Sequence, residues 1–320
     1  MIIAAYNVAE MIGKAIESAL EQPETAEVVV VDDASSDGTA DAAQVFAQRD
    51  SRVQVIRNQQ NRGPSKARNI AIAATRAPFI AILDGDDMFL PGRFAAMFAL
   101  GEWDFCADNI LFFSKPEQLH STIAASAADQ RLTMTLDCAT FIEGNIPDAT
   151  RPRGELGFLK PVIRRKFLEQ NAITYREDCR LGEDFLLYVE ALAKGARYQV
   201  LSSCGYAALV RQHSLSEKHS VDDLYNLCAA EAAILQSLAL TPQERANLRR
   251  RHRSTERRLN HRLVLESKAR NGLIAGLATG LSHPQSLLDI ARDRWRSLGP
   301  PPPAPAIPRK LLQSAHFMPD

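Results

Sequence analysis

The five cysteines of this 320-residue chain, Cys106, Cys138, Cys179, Cys204 and Cys228, are scattered singly, odd in number and without any C-x-x-C spacing. That excludes a disulfide framework and a thiolate zinc site, and reads as reduced thiols of a cytoplasmic protein. A charged leader with an apolar core and cleavage site is also missing. The longest weakly apolar run, 272–281, is far short of the roughly 20 residues that span a bilayer. Histidines 120, 219, 252, 261, 283 and 316 show no metal-ligand spacing. Net charge is absent too, with 38 Lys and Arg against 38 Asp and Glu, but the balance is local. Residues 241–300 hold 13 basic against 5 acidic side chains, and residues 1–240 carry a net charge of −9. An acidic body with a basic tail points to a surface partner for the tail, anionic lipid or another protein.

What is present is 46% apolar content, enough to bury a full core, in a pattern that alternates strand and helix. Met1–Ala5, Glu27–Val31, Val53–Ile56 and Phe79–Leu83 are strand-like. Between them, Ala9–Glu21, Thr39–Ala47 and Pro64–Thr75 are helical, the last with proline in its first turn. Continuous apolar strands separated by helices of ten or so residues predict an α/β fold: a mostly parallel sheet covered by helices on both faces.

In such sheets ligands bind beyond the carboxyl ends of the strands. Polar clusters stand at three of those ends: Tyr6-Asn7, then Asp32-Asp33-Ala-Ser35-Ser36-Asp37-Gly38-Thr39, then Asp84-Gly85-Asp86-Asp87. Ser36 and Asp37 also suit helix capping. The third cluster drives an apolar strand into three carboxylates. Crowded carboxylates repel one another unless a cation or several donors face them. Oxygen-only ligation suits Mg2+ or Mn2+, which commonly hold substrate phosphates through one or two carboxylates.

These motifs, with Asn61-Arg-Gly-Pro-Ser-Lys-Ala-Arg68-Asn69, resemble the family-2 glycosyltransferases of the GT-A fold. Gly182-Glu183-Asp184 and Arg211-Gln-His213-Ser214-Leu-Ser216 extend the resemblance into the second half. Glu155-Leu-Gly-Phe-Leu-Lys160-Pro and Leu181-Gly-Glu-Asp184-Phe look most like bacterial exopolysaccharide enzymes of the succinoglycan type. The resemblance implies an inverting, metal-dependent transferase moving a hexose, with glucose the first guess, from a UDP-sugar to a hydroxyl of a lipid-linked glycan. Tyr6, Asn7 and a carboxylate of Asp32 or Asp33 would cradle uracil, Arg68 the phosphates, and Asp84 with Gly85 the ribose. Asp86, with Asp87 and His213, would hold the metal; Asp184 would be the base. Glu183 and Arg211 would contact acceptor or phosphate. Asp184 also opens a helix, where a carboxylate sits in the positive field of the helix start for purely structural reasons.

The implied layout is a catalytic domain over 1–220, divided at about residue 115 into nucleotide-sugar and acceptor halves. A basic helical appendage follows over 221–299, then a Pro-rich, disordered tail over 300–320. Thr241-Pro-Gln-Glu244 reads as a helix cap. The basic helices 245–270 and 286–298 either lie in an anionic membrane surface at the inner face of the cell membrane or pack on the catalytic domain with solvated arginines. No nucleic-acid partner is expected. The first strand starts at Met1, which suggests a true start further upstream. Two other readings compete, a nucleotidyltransferase and a non-catalytic scaffold. The first should show a Gly-rich basic phosphate loop where Ala4-Ala-Tyr6-Asn7 stands, and the second has no use for clustered carboxylates.

Overall fold

A computed structural model describes residues 1–115, 118, 132–147, 156–210, 219–288, 290 and 307–317. Four strands, β1 (Ile2–Ala5), β2 (Val28–Asp32), β3 (Val53–Arg57) and β4 (Phe79–Asp84), lie parallel in the order β3-β2-β1-β4. Every residue of β2 is buried, which is why its sequence runs apolar without alternation. The connecting helices are α1 (Ile12–Leu20), α2 (Thr39–Ala47) and α3 (Pro64–Ala74), within a residue or three of the expected bounds.

Beyond β4 the sheet becomes mixed. β5 (Met88–Phe89), α4 (Arg93–Phe98), β6 (Phe105–Phe113), β7 (Thr133–Leu136), α5 (Cys138–Gly144), β8 (Val162–Arg164), α6 (Arg165–Gln170), α7 (Glu183–Ala193) and β9 (Tyr198–Leu209) complete it. β8 is antiparallel to both β4 and β6, whereas β9 runs parallel to β6 and takes β7 and β5 antiparallel along its two halves. The sheet expected to be mostly parallel is so in its first four strands and again between β6 and β9, with β5, β7 and β8 antiparallel. The β6–β9 register shifts at Asn109. There Gly205 passes so close to the buried Arg93–Asp108 ion pair that a Cβ would lie 2.1 Å from Asp108 Oδ2, so only glycine fits.

The appendage is α8 (Val221–Ser237) and α9 (Pro242–Ser282), each opened by a capping box, Ser220–Asp223 and Thr241–Glu244. Its first part is not a separate body. Asn247 Nδ2 donates to Ala139 O in α5 at 3.1 Å, and the Arg251 guanidinium lies 3.5 Å from the ring centroid of Phe185 in α7. Between α8 and α9, buried Glu231 pairs with Arg251 and His252 and accepts from the Thr255 hydroxyl. At Gly272 (φ 84°) the helix breaks and the chain doubles back, bringing Thr279 Oγ1 to 2.9 Å from Ser267 Oγ.

The expectation of a disordered tail is corrected. β10 (Arg309–Lys310) pairs antiparallel with the outer half of β6, and Leu311, Leu312 and Phe317 are buried. Asn109 exchanges two 2.8 Å hydrogen bonds with the Leu312 backbone.

Candidate active site

The loops after β1, β2 and β4 meet at one edge of the sheet, as expected, but their side chains divide into those that build the edge and those that face it. Asn7 and Ala34 both take left-handed backbone conformations (φ 51° and 63°). The two loops are then laced together. Asn7 N donates to Ser35 Oγ at 2.9 Å, Ser36 N donates to Asn7 Oδ1 at 3.0 Å, and Val8 N donates to Thr39 Oγ1 at 2.9 Å. Asp37 accepts from Thr39 N at the start of α2 and from Ala9 N in the first loop, so it caps and laces at once. Tyr6 stands 37% exposed at this edge.

Asp32 and Asp33 are both buried, and their uses diverge. Asp33 spends its oxygens on Asn58 Nδ2 (2.8 Å), Arg62 N (3.0 Å) and Gly63 N (2.7 Å), holding the turn into α3. Asp32 Oδ2 has no hydrogen-bond partner although the residue is fully buried; Arg57 Nε approaches to 3.7 Å. Of the pair named for the base, Asp32 is the one with an acceptor to spare. A cavity of about 450 Å³ lined by Ala34, Ser35, Arg57, Asn58 and Gln59 opens at the ends of β2 and β3.

The centre of the edge is a closed ring of alternating charge. Arg68, on α3 and buried, donates to Asp84 Oδ1 (2.9 Å), Glu183 Oε1 (2.8 Å) and Asp184 Oδ1 (3.1 Å). Lys160 Nζ lies 2.9 Å from the second oxygen of both Asp84 and Asp184. Tyr175 donates its hydroxyl to Asp184 Oδ1 at 3.1 Å. Burial pushes the Asp84 carboxyl up, but Lys160 and Arg68 override it, so it ionises well below the usual carboxylate range. Burial would also favour neutral Lys160, yet Asp184 and Asp84 raise its ammonium above the ordinary lysine value. Glu183 moves the other way, raised by burial and then by the Asp184 charge.

Asp87 is buried, and both oxygens are engaged by the protein: Tyr206 OH donates to one at 2.8 Å and Leu209 N to the other at 3.0 Å. Burial and then Asp86 and Asp84 raise its pKa well above the usual value. Asp86 is half-buried beside it. Gly85 faces inward, where a Cβ would press to 3.0 Å on Val8 Cγ2, so it packs the turn against the first loop. Among the described residues no three His, Cys, Asp or Glu side chains converge as a metal cage. The oxygen-only chemistry of Asp86 and Asp87 still fits a hard divalent cation shared with substrate phosphates. Arg211 and His213 lie outside the described residues.

Straps across the site explain how residues far apart in sequence meet. Asn69 on α3 exchanges bonds with the Tyr175 backbone at 2.8 and 3.0 Å, Ser65 Oγ donates to Cys179 O at 2.6 Å, and Arg180 reaches Asn61 O at 2.9 Å. Tyr175 and Tyr206 carry no motif of their own, and the stretch ending Lys160-Pro assigned the lysine no role; their parts are visible only once these contacts form.

A parallel half-sheet whose carboxyl edge gathers acidic loops, extended by antiparallel strands, is the architecture of GT-A glycosyltransferases. Two solved structures share it. S. aureus TarS 1–349, solved also with UDP-GlcNAc, superposes with a TM-score of 0.60 at 21% identity, over 87% of this chain and 79% of that one. The mannosyltransferase PcManGT from Pyrobaculum calidifontis, in complex with GDP-Man and Mn2+, gives 0.53 at 17% identity, over 94% and 80%. At these identities the likeness is one of fold. Sequence carries it further. Residues 1–117 match the model of glycosyl transferase family 2, and the chain is 43% identical to the succinoglycan biosynthesis protein ExoU of Rhizobium meliloti, over 95% of this chain and 90% of that protein. The chain belongs to glycosyltransferase family 2, among relatives of exopolysaccharide biosynthesis.

Proposed function

We propose that this enzyme is an inverting, metal-dependent transferase that moves a hexose, glucose first to be tested, from a UDP-sugar to a hydroxyl of a growing exopolysaccharide carried on lipid. The observation that carries the reading is the ring Asp84–Arg68–Asp184–Lys160, which sets a donor-side carboxylate and an acceptor-side carboxylate on opposite ends of the same two cations. The unpartnered Asp32 oxygen accepts the uracil N–H beneath Tyr6, and Asp84 meets the ribose. Asp86 holds Mg2+ or Mn2+, backed by Asp87, whose carboxylate Tyr206 fixes. Once bound, the ion supplies Lewis-acid neutralisation of the leaving diphosphate. Arg68, already charged and buried, stabilises the same developing charge through its planar donors. Asp184 Oδ2 takes the acceptor hydroxyl proton from the side opposite the nucleotide, which gives inversion, and Glu183 contacts the acceptor.

Calorimetric titration with UDP, with and without Mn2+, tests the donor half. Binding that strengthens with the metal is expected; UDP binding indifferent to metal overturns it. Asp184→Asn tests the base. Its kcat should fall about 10²- to 10⁴-fold, the range for general-base catalysis, with donor KM nearly unchanged.

The partner for the appendage is an anionic bilayer surface. After the Gly272 break, Leu273, Leu277 and Leu281 recur every fourth residue and, with Ile274 (85% exposed), present an apolar stripe to solvent. Residues 271–285 contain no Asp, Glu, Lys or Arg, while exposed Arg262, Lys268 and Arg270 stand on the preceding arm. No helix among the described residues is long and apolar enough to cross a membrane, and an exposed apolar stripe beside basic residues is the pattern of an in-plane element. The proposed docking stripe at 273–281 lies between the two basic segments named from sequence, 245–270 and 286–298; 291–298 lie outside the described residues.

A further inference from the structure

Buried ammonium groups are costly unless each proton finds an acceptor. Lys160 is nevertheless buried, with Nζ 2.9 Å from Asp84 Oδ2 and 2.9 Å from Asp184 Oδ2. Its backbone is pinned as firmly as its side chain. Arg93 donates to the Lys160 carbonyl oxygen, and Arg93 is itself fixed by Asp108 at 2.9 Å and by the rings of Phe89 and Tyr206. Tyr206 in turn holds Asp87 and accepts from Asp84 N at 3.1 Å. The lysine is thus mounted on the same buried framework that sets the donor-side turn, and it reaches across to the acceptor-side helix α7.

The groups facing Asp184 are Arg68 and Tyr175 at Oδ1 and Lys160 at Oδ2, with Glu183 beside it on the helix. Arg68 and Tyr175 alone would leave the carboxylate free to turn about its Cβ–Cγ bond. Lys160 contacts the other oxygen and removes that freedom. It also ties the carboxylate to Asp84, so that the distance from base to donor is set by one ammonium rather than by the long connection through α6 to α7.

We propose that Lys160 is a positioning residue for the reaction, holding the Asp184 carboxylate aimed at the acceptor hydroxyl in register with the donor at Asp84. This rests on Asp184 being the base, and the test separates the two ideas. In Lys160→Met, kcat should fall about 10- to 100-fold, the loss expected when a reacting group is misplaced by around an ångström, with donor KM changed less than about threefold. Lys160→Arg keeps the charge in a different shape; it should recover part of the lost kcat, at a donor KM still near wild type. The inference is overturned if folded Lys160→Met, checked by thermal unfolding and UDP binding, keeps wild-type kcat, or if its donor KM rises as steeply as its kcat falls. Should the Met variant fail to fold, Lys160→Arg decides alone: wild-type kcat, or a donor KM that rises with the loss, overturns the inference, and reduced kcat at unchanged donor KM supports it. If instead Asp184→Asn turns over at the wild-type rate, the base assignment falls, whatever the lysine variants do.

Discussion

Asp32 and Asp33 are neighbours in sequence with different employments in the fold. Removing Asp33 strands the donors of Asn58, Arg62 and Gly63, each at a cost on the order of 1–3 kcal/mol when left buried. Asp33→Ala should therefore lose at least about 2 kcal/mol in urea unfolding. Asp32→Asn replaces an oxygen that has no hydrogen-bond partner and only a 3.7 Å pairing with the exposed Arg57 side chain, so its unfolding midpoint should stay near wild type while UDP affinity drops about tenfold, the worth of a hydrogen bond to a charged group. Sequence named both residues and could not divide them, because the division depends on where the Asn61–Gly63 turn lies. Lys160 was harder still. A single lysine before a proline has no periodic signal, and it acquires a role only through an ion pair with a residue 24 positions away.

Elements were legible in proportion to how much apolar area each one buries alone. β1 to β4, continuous runs flanked by helices, could be placed to within a residue or two. β5, β7 and β8, two to four residues long, offer too few positions for a pattern and exist because β6 and β9 supply the partner edges. The sequence reading of a mostly parallel sheet did not place them for that reason. The straps from α3 to the segment before α7 make these two elements one working unit. Asn69→Ala should lower stability and turnover together, since it frees the Tyr175 backbone that carries a donor to Asp184. The Asp84 ion pairs add a pH dependence. A carboxyl depressed on folding contributes stability present above its unfolded pKa, about 3.9, and lost as pH falls through its lower folded value. The stability gap between wild type and Asp84→Asn should be level from pH 7 to 5 and narrow below about pH 4, read by urea unfolding.

At the scale of the molecule, charge and apolar surface separate, the acidic body bearing the site and the basic arm ending in the exposed Leu273–Leu281 stripe. Ile274→Asp with Leu277→Asp should abolish co-sedimentation with phosphatidylglycerol vesicles and leave donor hydrolysis intact; unchanged sedimentation would remove the membrane from the account. The tail was misread because its prolines suggest a stiff linker, although Leu311-Leu312 was an apolar signal in plain view. Its docking has a further meaning for biosynthesis. Asn109 waits 203 positions for the backbone that satisfies it. A nascent chain halted before residue 312 carries the catalytic loops already made, yet keeps the outer edge of β6 open to any other strand it meets. The edge stays open to mispairing for the 203 positions that separate Asn109 from the strand that covers it.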